Sequence, residues 1–158
     1  MRLLTPSDYV IGHVTSLVAC GIVVTLVFDG APLPSKSGTD HERMLKREEA
    51  RRQAMRLQRE GNTDAARAAF AKAVDVSASM AAAVIAAARA KWGDDDSAKV
   101  KWIVAPYEAD AQLAFLARNN LVDVVISEDS DCLAYAVPRT IFKFDVTTGS
   151  AVLRIYTA

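Results

Sequence analysis

The sequence has few of the residues that build disulfide scaffolds and zinc sites. Its two cysteines, Cys20 and Cys132, lie 112 positions apart. This spacing fits neither a disulfide-rich secreted fold nor a zinc motif, and it is typical of a reducing compartment. His13 lies on an apolar helix face and His41 near a predicted helix start, and neither forms with Cys132 an arrangement for nucleophilic catalysis.

The chain also lacks a net charge, because 19 basic residues balance 19 acidic ones. This balance excludes a histone-like protein that is held on nucleic acid by bulk charge. The charges are nevertheless unevenly placed, with 13 basic and 9 acidic residues in 1–93 against 6 and 10 in 94–158. The asymmetry has two interpretations. Either the charged residues are unevenly distributed over a solvated surface by chance, or a basic part that binds an anionic polymer is joined to an acidic, cation-dependent part.

A single uncharged run reaches the length of a membrane-spanning helix. Val10–Phe28 has 19 residues and no charge apart from that of a protonated His13. Glycines and polar residues interrupt the run, and its pattern changes at Gly21 from helical spacing to a β-branched segment, Ile22–Phe28. Such a segment, followed by Asp29, is typical of a buried parallel strand. A membrane anchor is the weaker alternative.

The rest of the chain consists of a helical part and an alternating part. After a turn-rich segment at 30–38, predicted helices cover 40–60, 65–76 and 77–92. Strands are then predicted at 101–104, 122–126, 140–144 and 151–156, with helical segments at 107–119 and 131–135. The alternation predicts an α/β fold with a largely parallel sheet, in which ligands bind at the carboxyl ends of the strands.

Acidic residues follow three of the predicted strands. They are Asp29 after the first strand, Glu108 and Asp110 after the second, and Asp129 and Asp131 after the third, with Glu128 beside them. Parallel strands would bring these acids to one edge of one sheet, where they repel one another unless cations neutralise them. Oxygen ligands without a nearby histidine or cysteine favour Mg²⁺ or Mn²⁺, and two such ions promote attack of water on a phosphodiester. Taken singly, each acid also fits a turn or a helix cap.

The helix predicted from about residue 40 is strongly basic. Between Lys36 and Arg59 the chain has eight basic and four acidic residues. Its apolar positions are too few for a fully packed helix, so we expect it to project from the core. Its charges fit two alternatives: a solvated face with ion pairs such as Glu48–Arg52, or a surface that contacts phosphates near the acidic residues.

Four strings of residues carry a family resemblance. They are Leu26–Gly30 (LVFDG), Leu33–Lys36 (LPSK), Val104–Leu113 (VAPYEADAQL) and Ile126–Leu133 (ISEDSDCL). In this order they resemble the structure-specific 5′-nucleases of the flap endonuclease and xeroderma pigmentosum G superfamily. The resemblance implies a PIN-like α/β nuclease domain with a projecting helical arch, truncated at both ends. Residues 9–33 would end the N-terminal nuclease region, 34–92 would form the arch, and 93–158 would form the internal nuclease region.

The resemblance also implies a site and a function. Two Mg²⁺ ions, or Mn²⁺ in their place, would be held by Asp29, Glu108, Asp110, Asp129 and Asp131. Lys36 and Arg43 would act on the scissile phosphate, and DNA would be bound by Lys36, Arg43, Arg47 and Arg51. The implied activity is that of a 5′-exonuclease or flap endonuclease on DNA 5′ ends, flaps and gaps. The implied setting is repair and replication in the nucleus, with mismatch-repair or replication proteins as partners and no membrane.

The chain departs from the family pattern at both ends. The family has a further metal-binding aspartate upstream of the Asp29 position, and a duplex-gripping segment with a last aspartate after the Phe144 position. We therefore expect low DNA affinity and impaired or absent catalysis. The alternatives are a protein that only binds nucleic acid or a repair partner, and an RNA-cutting nuclease of similar fold.

Overall fold

Helices and strands alternate along the chain in nearly the order that the sequence predicts. The computed structural model describes residues 5–74, 77–95, 97–145 and 148–156. The helices are α1 Pro6–Ala19, α2 Ser37–Arg59, α3 Thr63–Ala73, α4 Ala78–Trp92, α5 Ala109–Arg118 and α6 Asp131–Ala134, with a 3₁₀ turn at Pro34–Lys36. The strands are β1 Val24–Phe28, β2 Val100–Val104, β3 Val125–Ile126, β4 Arg139–Asp145 and β5 Ser150–Ile155.

The long uncharged run is divided between α1 and β1. A capping box starts α1: the Thr5 side chain accepts a hydrogen bond from the Asp8 backbone, and the Asp8 carboxylate accepts one from the Thr5 backbone at 2.9 Å. Gly21 then adopts a φ of 82°, a conformation that glycine reaches without strain, and the chain turns into β1. Within the described ranges no single helix is long and apolar enough to cross a membrane, although α3 and α4 together pass that test as a bent pair.

The strands form two separate ladders. β1 pairs with β2 in parallel, from Val24 opposite Val100 to Phe28 opposite Val104. β3 pairs in parallel with β4, and β4 pairs in antiparallel with β5. The expectation that all acid-bearing strands share one sheet is therefore wrong for the described residues, because no ladder joins β1 to β3.

A cavity accompanies this separation of the two ladders. It measures about 570 Å³ and is lined by residues of α1, β1 and α5 together with residues 121–128. β3 is also shorter than predicted, since the ladder includes only Val125 and Ile126 rather than 122–126. Among the described residues, β1 and β3 therefore form no ladder of backbone hydrogen bonds with each other.

The residues belong to two compact units, one formed by 1–31 with 80–158 and the other by 32–79. In the first unit, one cluster joins α1, α4 and β2 through Val14, Ala88 and Val100. A second cluster joins α5 to the β3–α6 region and comprises Ala114, Ala117, Val125, Cys132 and Val137. Because α5 is anchored in this second cluster, its first turn has a fixed position beside the segment that follows β3.

In the second unit α2 packs on α3 through small residues. Ala54 is fully buried, and Ala66 and Ala69 are also buried. Most other side chains of α2 are exposed, and the predicted Glu48–Arg52 pair is present at 3.5 Å. The unit ends at Ser79, whereas the predicted arch extends to Trp92. The assignment of this region as an arch stays a prediction.

Candidate metal centre

Three carboxylates converge after β2 and β3. Each of Asp110, Asp129 and Asp131 offers an oxygen, and these oxygens lie within 4.8 Å of one another. Asp110 belongs to the first turn of α5, and Asp131 is the first residue of α6. The two helices start after β2 and β3 respectively, which belong to different ladders. The packing of α5 against the β3–α6 region, through residues such as Ala114, Val125 and Cys132, brings the two helix starts together.

The charges of the other four predicted ligands all act on Asp110. Partial burial is the main cause that raises the pKa of Asp110, and the charges of Asp129, Asp131, Asp29 and Glu108 raise this pKa further, in that order. Asp29 and Glu108 are thus close enough to repel Asp110, although they lie outside the tight group of three. The five acids form one electrostatic cluster, as expected from their places in the sequence.

Asp29 is held by the amino terminus of α5. Its Oδ1 atom accepts a hydrogen bond from the backbone N–H of Ala109 at 2.7 Å. The residue at the N-cap position, Glu108, makes no capping hydrogen bond with its own side chain. The Asp29 carboxylate, which follows β1, therefore pairs with the first backbone N–H of α5, a group that has no partner within the helix. The positive end of the helix dipole also attracts this carboxylate.

A chain of side-chain-to-backbone hydrogen bonds orients the other two acids. The Asp131 N–H donates to Asp129 Oδ1 at 2.9 Å, and the Asp129 N–H donates to Ser127 Oγ at 3.1 Å. Sequence reasoning did not assign Ser127 a role. The spacing Ser-x-Asp-x-Asp is the signal for it, because serine and aspartate side chains bond the backbone two residues ahead.

Two groups beside the cluster, Cys132 and Glu128, are outside the tight group of three and have other surroundings. Cys132 is fully buried, and this burial is the main cause that raises the pKa of its thiol, so the thiol stays protonated. Glu128 Oε1 accepts a hydrogen bond from the Lys143 N–H at 2.6 Å. Lys143 has a φ of 52° and lies where the β4–β5 register shifts. Glu128 therefore supports an irregular strand, and it lies outside the tight group of three.

The predicted phosphate-contacting residues all belong to the second unit. Lys36 ends the 3₁₀ turn at Pro34–Lys36, and its side chain lies outside the described part of the structure. Arg43, Arg47 and Arg51 are spaced by four residues on α2, which places them along one face. Arg43 and Arg51 are exposed, and Arg47 is half-buried. Their action on phosphate stays a prediction.

The donor set of the cluster fits a hard divalent cation. All its candidate ligand atoms are carboxylate oxygens, and the mutual repulsion seen at Asp110 is what a bound cation would relieve. Mg²⁺ and Mn²⁺ prefer such ligands, whereas zinc prefers nitrogen and sulfur.

We expect Asp110→Asn to raise the free energy of unfolding of the metal-free protein at pH 7. The raised pKa means that the folded state binds a proton at Asp110 more tightly than the unfolded chain does. Stability is therefore lost as pH rises from the ordinary carboxyl value of 3.8 through the raised pKa, and asparagine avoids this loss. Urea unfolding at pH 7 and near pH 3 measures the difference.

The matched control is Asp123→Asn, because Asp123 is an exposed acid whose charge is not among those that raise the pKa of Asp110. It should leave stability nearly unchanged at both pH values. An Asp110→Asn variant that is no more stable than parent at pH 7 would contradict the repulsion described above.

Residues 99–155 match the XPG I-region family. The chain is also similar to curated proteins over most of its length. It is 42% identical to Exonuclease 1 of Xenopus laevis over 129 residues, which are 82% of this chain and 17% of that protein. It is 41% identical to Exonuclease 1 of Danio rerio over 138 residues, 87% of this chain and 16% of the relative. Exodeoxyribonuclease 1 of Schizosaccharomyces pombe is 39% identical over 137 residues, which are 87% of this chain and 23% of that protein.

Solved structures show the same fold. One structure of the catalytic core of Rad2 in complex with DNA substrate superposes with a TM-score of 0.57 at 22% identity, covering 98% of this chain and 42% of that one. A second Rad2 complex gives a TM-score of 0.56 at 24% identity, covering 92% and 38%. These likenesses confirm the predicted α/β nuclease fold.

The chain spans between 16% and 23% of the length of the three curated relatives described above. Their similarity nevertheless covers 82–87% of this chain, and the XPG I-region match contains four of the five clustered acids, Glu108, Asp110, Asp129 and Asp131. The predicted resemblance is thereby confirmed: the chain is a homologue of the exonuclease 1 proteins over most of its own length, and its residues 99–155 match the XPG I-region.

Proposed function

We propose that this chain carries the metal centre of a divalent-cation-dependent nuclease that hydrolyses DNA phosphodiesters at 5′ ends, flaps or gaps. The observation that carries the proposal is the convergence of Asp110, Asp129 and Asp131 within 4.8 Å. Burial and four neighbouring acids raise the pKa of Asp110, an arrangement that is poor for stability and good for binding a cation. The names of the relatives supply the nuclease class.

In this proposal each acid has a defined task. Asp110, Asp129 and Asp131 would hold one ion, and Asp29 and Glu108 would complete the ligand set for two ions. Bound divalent cations would activate water and neutralise phosphate charge. The hydrogen bonds from Ala109 to Asp29 and from Asp131 to Asp129 keep these carboxylates oriented before any ion arrives.

Phosphate contact is the proposed task of the basic residues of the second unit. Lys36 and Arg43 would neutralise the charge that develops on the attacked phosphate, because a fixed cation stabilises that charge most strongly in the transition state. Arg47 and Arg51 would bind the DNA backbone along the same face of α2. The assignment of 34–92 as the arch belongs to this proposal, as do 9–33 and 93–158 as the flanking nuclease regions.

DNA is favoured over RNA as the substrate. One relative is named an exodeoxyribonuclease, and the Rad2 structures with the same fold are complexes with DNA substrate. We further propose Mg²⁺ as the cation, with Mn²⁺ able to replace it. Nuclear localisation, a role in repair and replication, and partners among mismatch-repair or replication proteins complete the proposal.

One observation favours a second candidate, a chain that binds nucleic acid or a repair partner without cutting. Only three carboxylates form the tight group among the described residues, and Asp29 already accepts a hydrogen bond as the cap of α5. Such a centre holds one ion better than two, whereas hydrolysis by in-line attack uses a pair of ions.

Titration with Mn²⁺ separates the two candidates. We expect the parent protein to bind two Mn²⁺ ions in isothermal titration calorimetry, and Asp131→Asn to lose at least about ten-fold in affinity, since even residues behind a metal ligand cost that much. Asp123→Asn, which removes an acid outside the cluster, should bind as the parent does. A single weakly bound ion, or no binding by folded parent, would contradict the nuclease proposal and favour the non-catalytic candidate.

Cleavage of defined substrates tests the activity itself. A 5′-labelled DNA flap and a recessed duplex should be cut by the parent in Mg²⁺ or Mn²⁺, and Asp131→Asn should reduce the rate by at least about 100-fold, because it removes a direct ligand. An RNA flap of the same sequence should be cut more slowly. Binding of the DNA flap without cleavage, by folded protein in either metal, would replace the nuclease proposal with the binding one.

A further inference from the structure

The segments that follow β1 and β2 stay in close contact beyond the ends of the strands. The Ala105 N–H donates to the Phe28 carbonyl at 2.8 Å, and the Gly30 N–H donates to the Tyr107 carbonyl at 2.6 Å. The Ala31 N–H donates to the Pro106 carbonyl at 3.1 Å. These three bonds hold the backbone of residues 28–31 against that of residues 105–107, and we call this contact the 30–106 crossing.

The crossing leaves no room for a side chain at Gly30. A Cβ atom at this position would overlap the carbonyl oxygen of Ala105 and would lie 2.9 Å from both the Ala105 carbonyl carbon and the Pro106 oxygen. All three are backbone atoms, which cannot rotate away as the end of a flexible side chain can. Any larger residue must therefore push the two segments apart.

The same crossing brings Asp29 to the acidic cluster. Asp29 precedes Gly30, and its carboxylate reaches the N–H of Ala109, which lies three positions after Pro106. The distance between β1's end and the start of α5 therefore decides where this carboxylate stands relative to Asp110. The charge of Asp29 is among those that Asp110 experiences, which shows that the two are close.

We propose that Gly30 is a positioning residue for Asp29, and that its lack of a side chain is what allows Asp29 to reach the metal centre. This inference rests on the proposed function of the acidic cluster as a metal site. Gly30 contacts no ion in this proposal and acts only through the backbone crossing.

The first test compares Gly30→Ala with Gly12→Ala. A Cβ at Gly12 would meet nothing within 4 Å, and Gly12 lies inside α1, so this control adds the same methyl group without a clash. We expect Gly30→Ala to lower Mn²⁺ affinity about ten-fold, as loss of a ligand-supporting contact does. Gly12→Ala should bind Mn²⁺ as the parent does, and equal affinity in both variants would overturn the proposal.

A double-mutant cycle distinguishes positioning from a general effect on the fold. In an Asp29→Asn background, Gly30→Ala should cause no further loss of Mn²⁺ affinity, because the carboxylate that it displaces is already gone. A loss of the same size in both backgrounds would show that Gly30 acts on the centre as a whole, and it would overturn the assignment to Asp29.

A second variant keeps the test decisive if Gly30→Ala does not fold. In Ala109→Pro a ring carbon replaces the amide hydrogen that residue 109 donates to Asp29. Residue 109 is the first of α5, and proline is favoured at the first position of a helix. Glu108 has φ −83° and ψ 136°, which is the extended conformation that a following proline requires. We expect a folded protein with about ten-fold lower Mn²⁺ affinity.

The outcomes separate this inference from the proposed function. If Ala109→Pro folds and binds Mn²⁺ as the parent does, the position of Asp29 at the crossing is irrelevant to the ion and the inference fails alone. If the folded parent binds no Mn²⁺, the metal centre and the inference fail together.

Discussion

Repulsion among carboxylates is the constraint on which this structure depends. Asp110 is half-buried beside four other acids, and burial and their charges all raise its pKa. A fold that places like charges this close loses stability at neutral pH unless something neutralises them. The rest of the site therefore has two tasks: to hold the acids together in spite of the repulsion, and to leave room for the cation that relieves it.

Backbone hydrogen bonds perform the first task. The amino terminus of α5 donates to Asp29, the Asp131 N–H donates to Asp129, and the 30–106 crossing keeps the ends of β1 and β2 in contact. The Ala109 and Asp131 N–H groups carry partial positive charge, so each of them stabilises the carboxylate to which it donates. The basic face of α2 belongs to the other unit, which fits a division between holding ions and contacting phosphates.

The sequence predicts the acids' convergence well, because a parallel strand followed by a helix carries its next polar residues to a known edge. Asp29, Glu108, Asp110, Asp129 and Asp131 could all be selected in this way. The two-ladder arrangement could not be predicted, since the pairing of a strand depends on what lies beside it in three dimensions and not on its own pattern. The Gly30 contact and the bond from Lys143 to Glu128 were hidden for the same reason, because both join segments that are distant in the chain.

The central claim is that a cation relieves the repulsion among these acids, and linkage between ion binding and unfolding tests it most directly. Urea unfolding of the metal-free parent at pH 7 should be compared with unfolding at a Mn²⁺ concentration 100 times the dissociation constant. We predict a gain of about 2.7 kcal/mol per bound ion in the free energy of unfolding of the parent, and about 1.4 kcal/mol or less per ion for Asp131→Asn at the same concentration, because a ten-fold weaker affinity leaves the ion at only about ten times the dissociation constant. An equal response of the two proteins, or no response of the parent, would contradict the account.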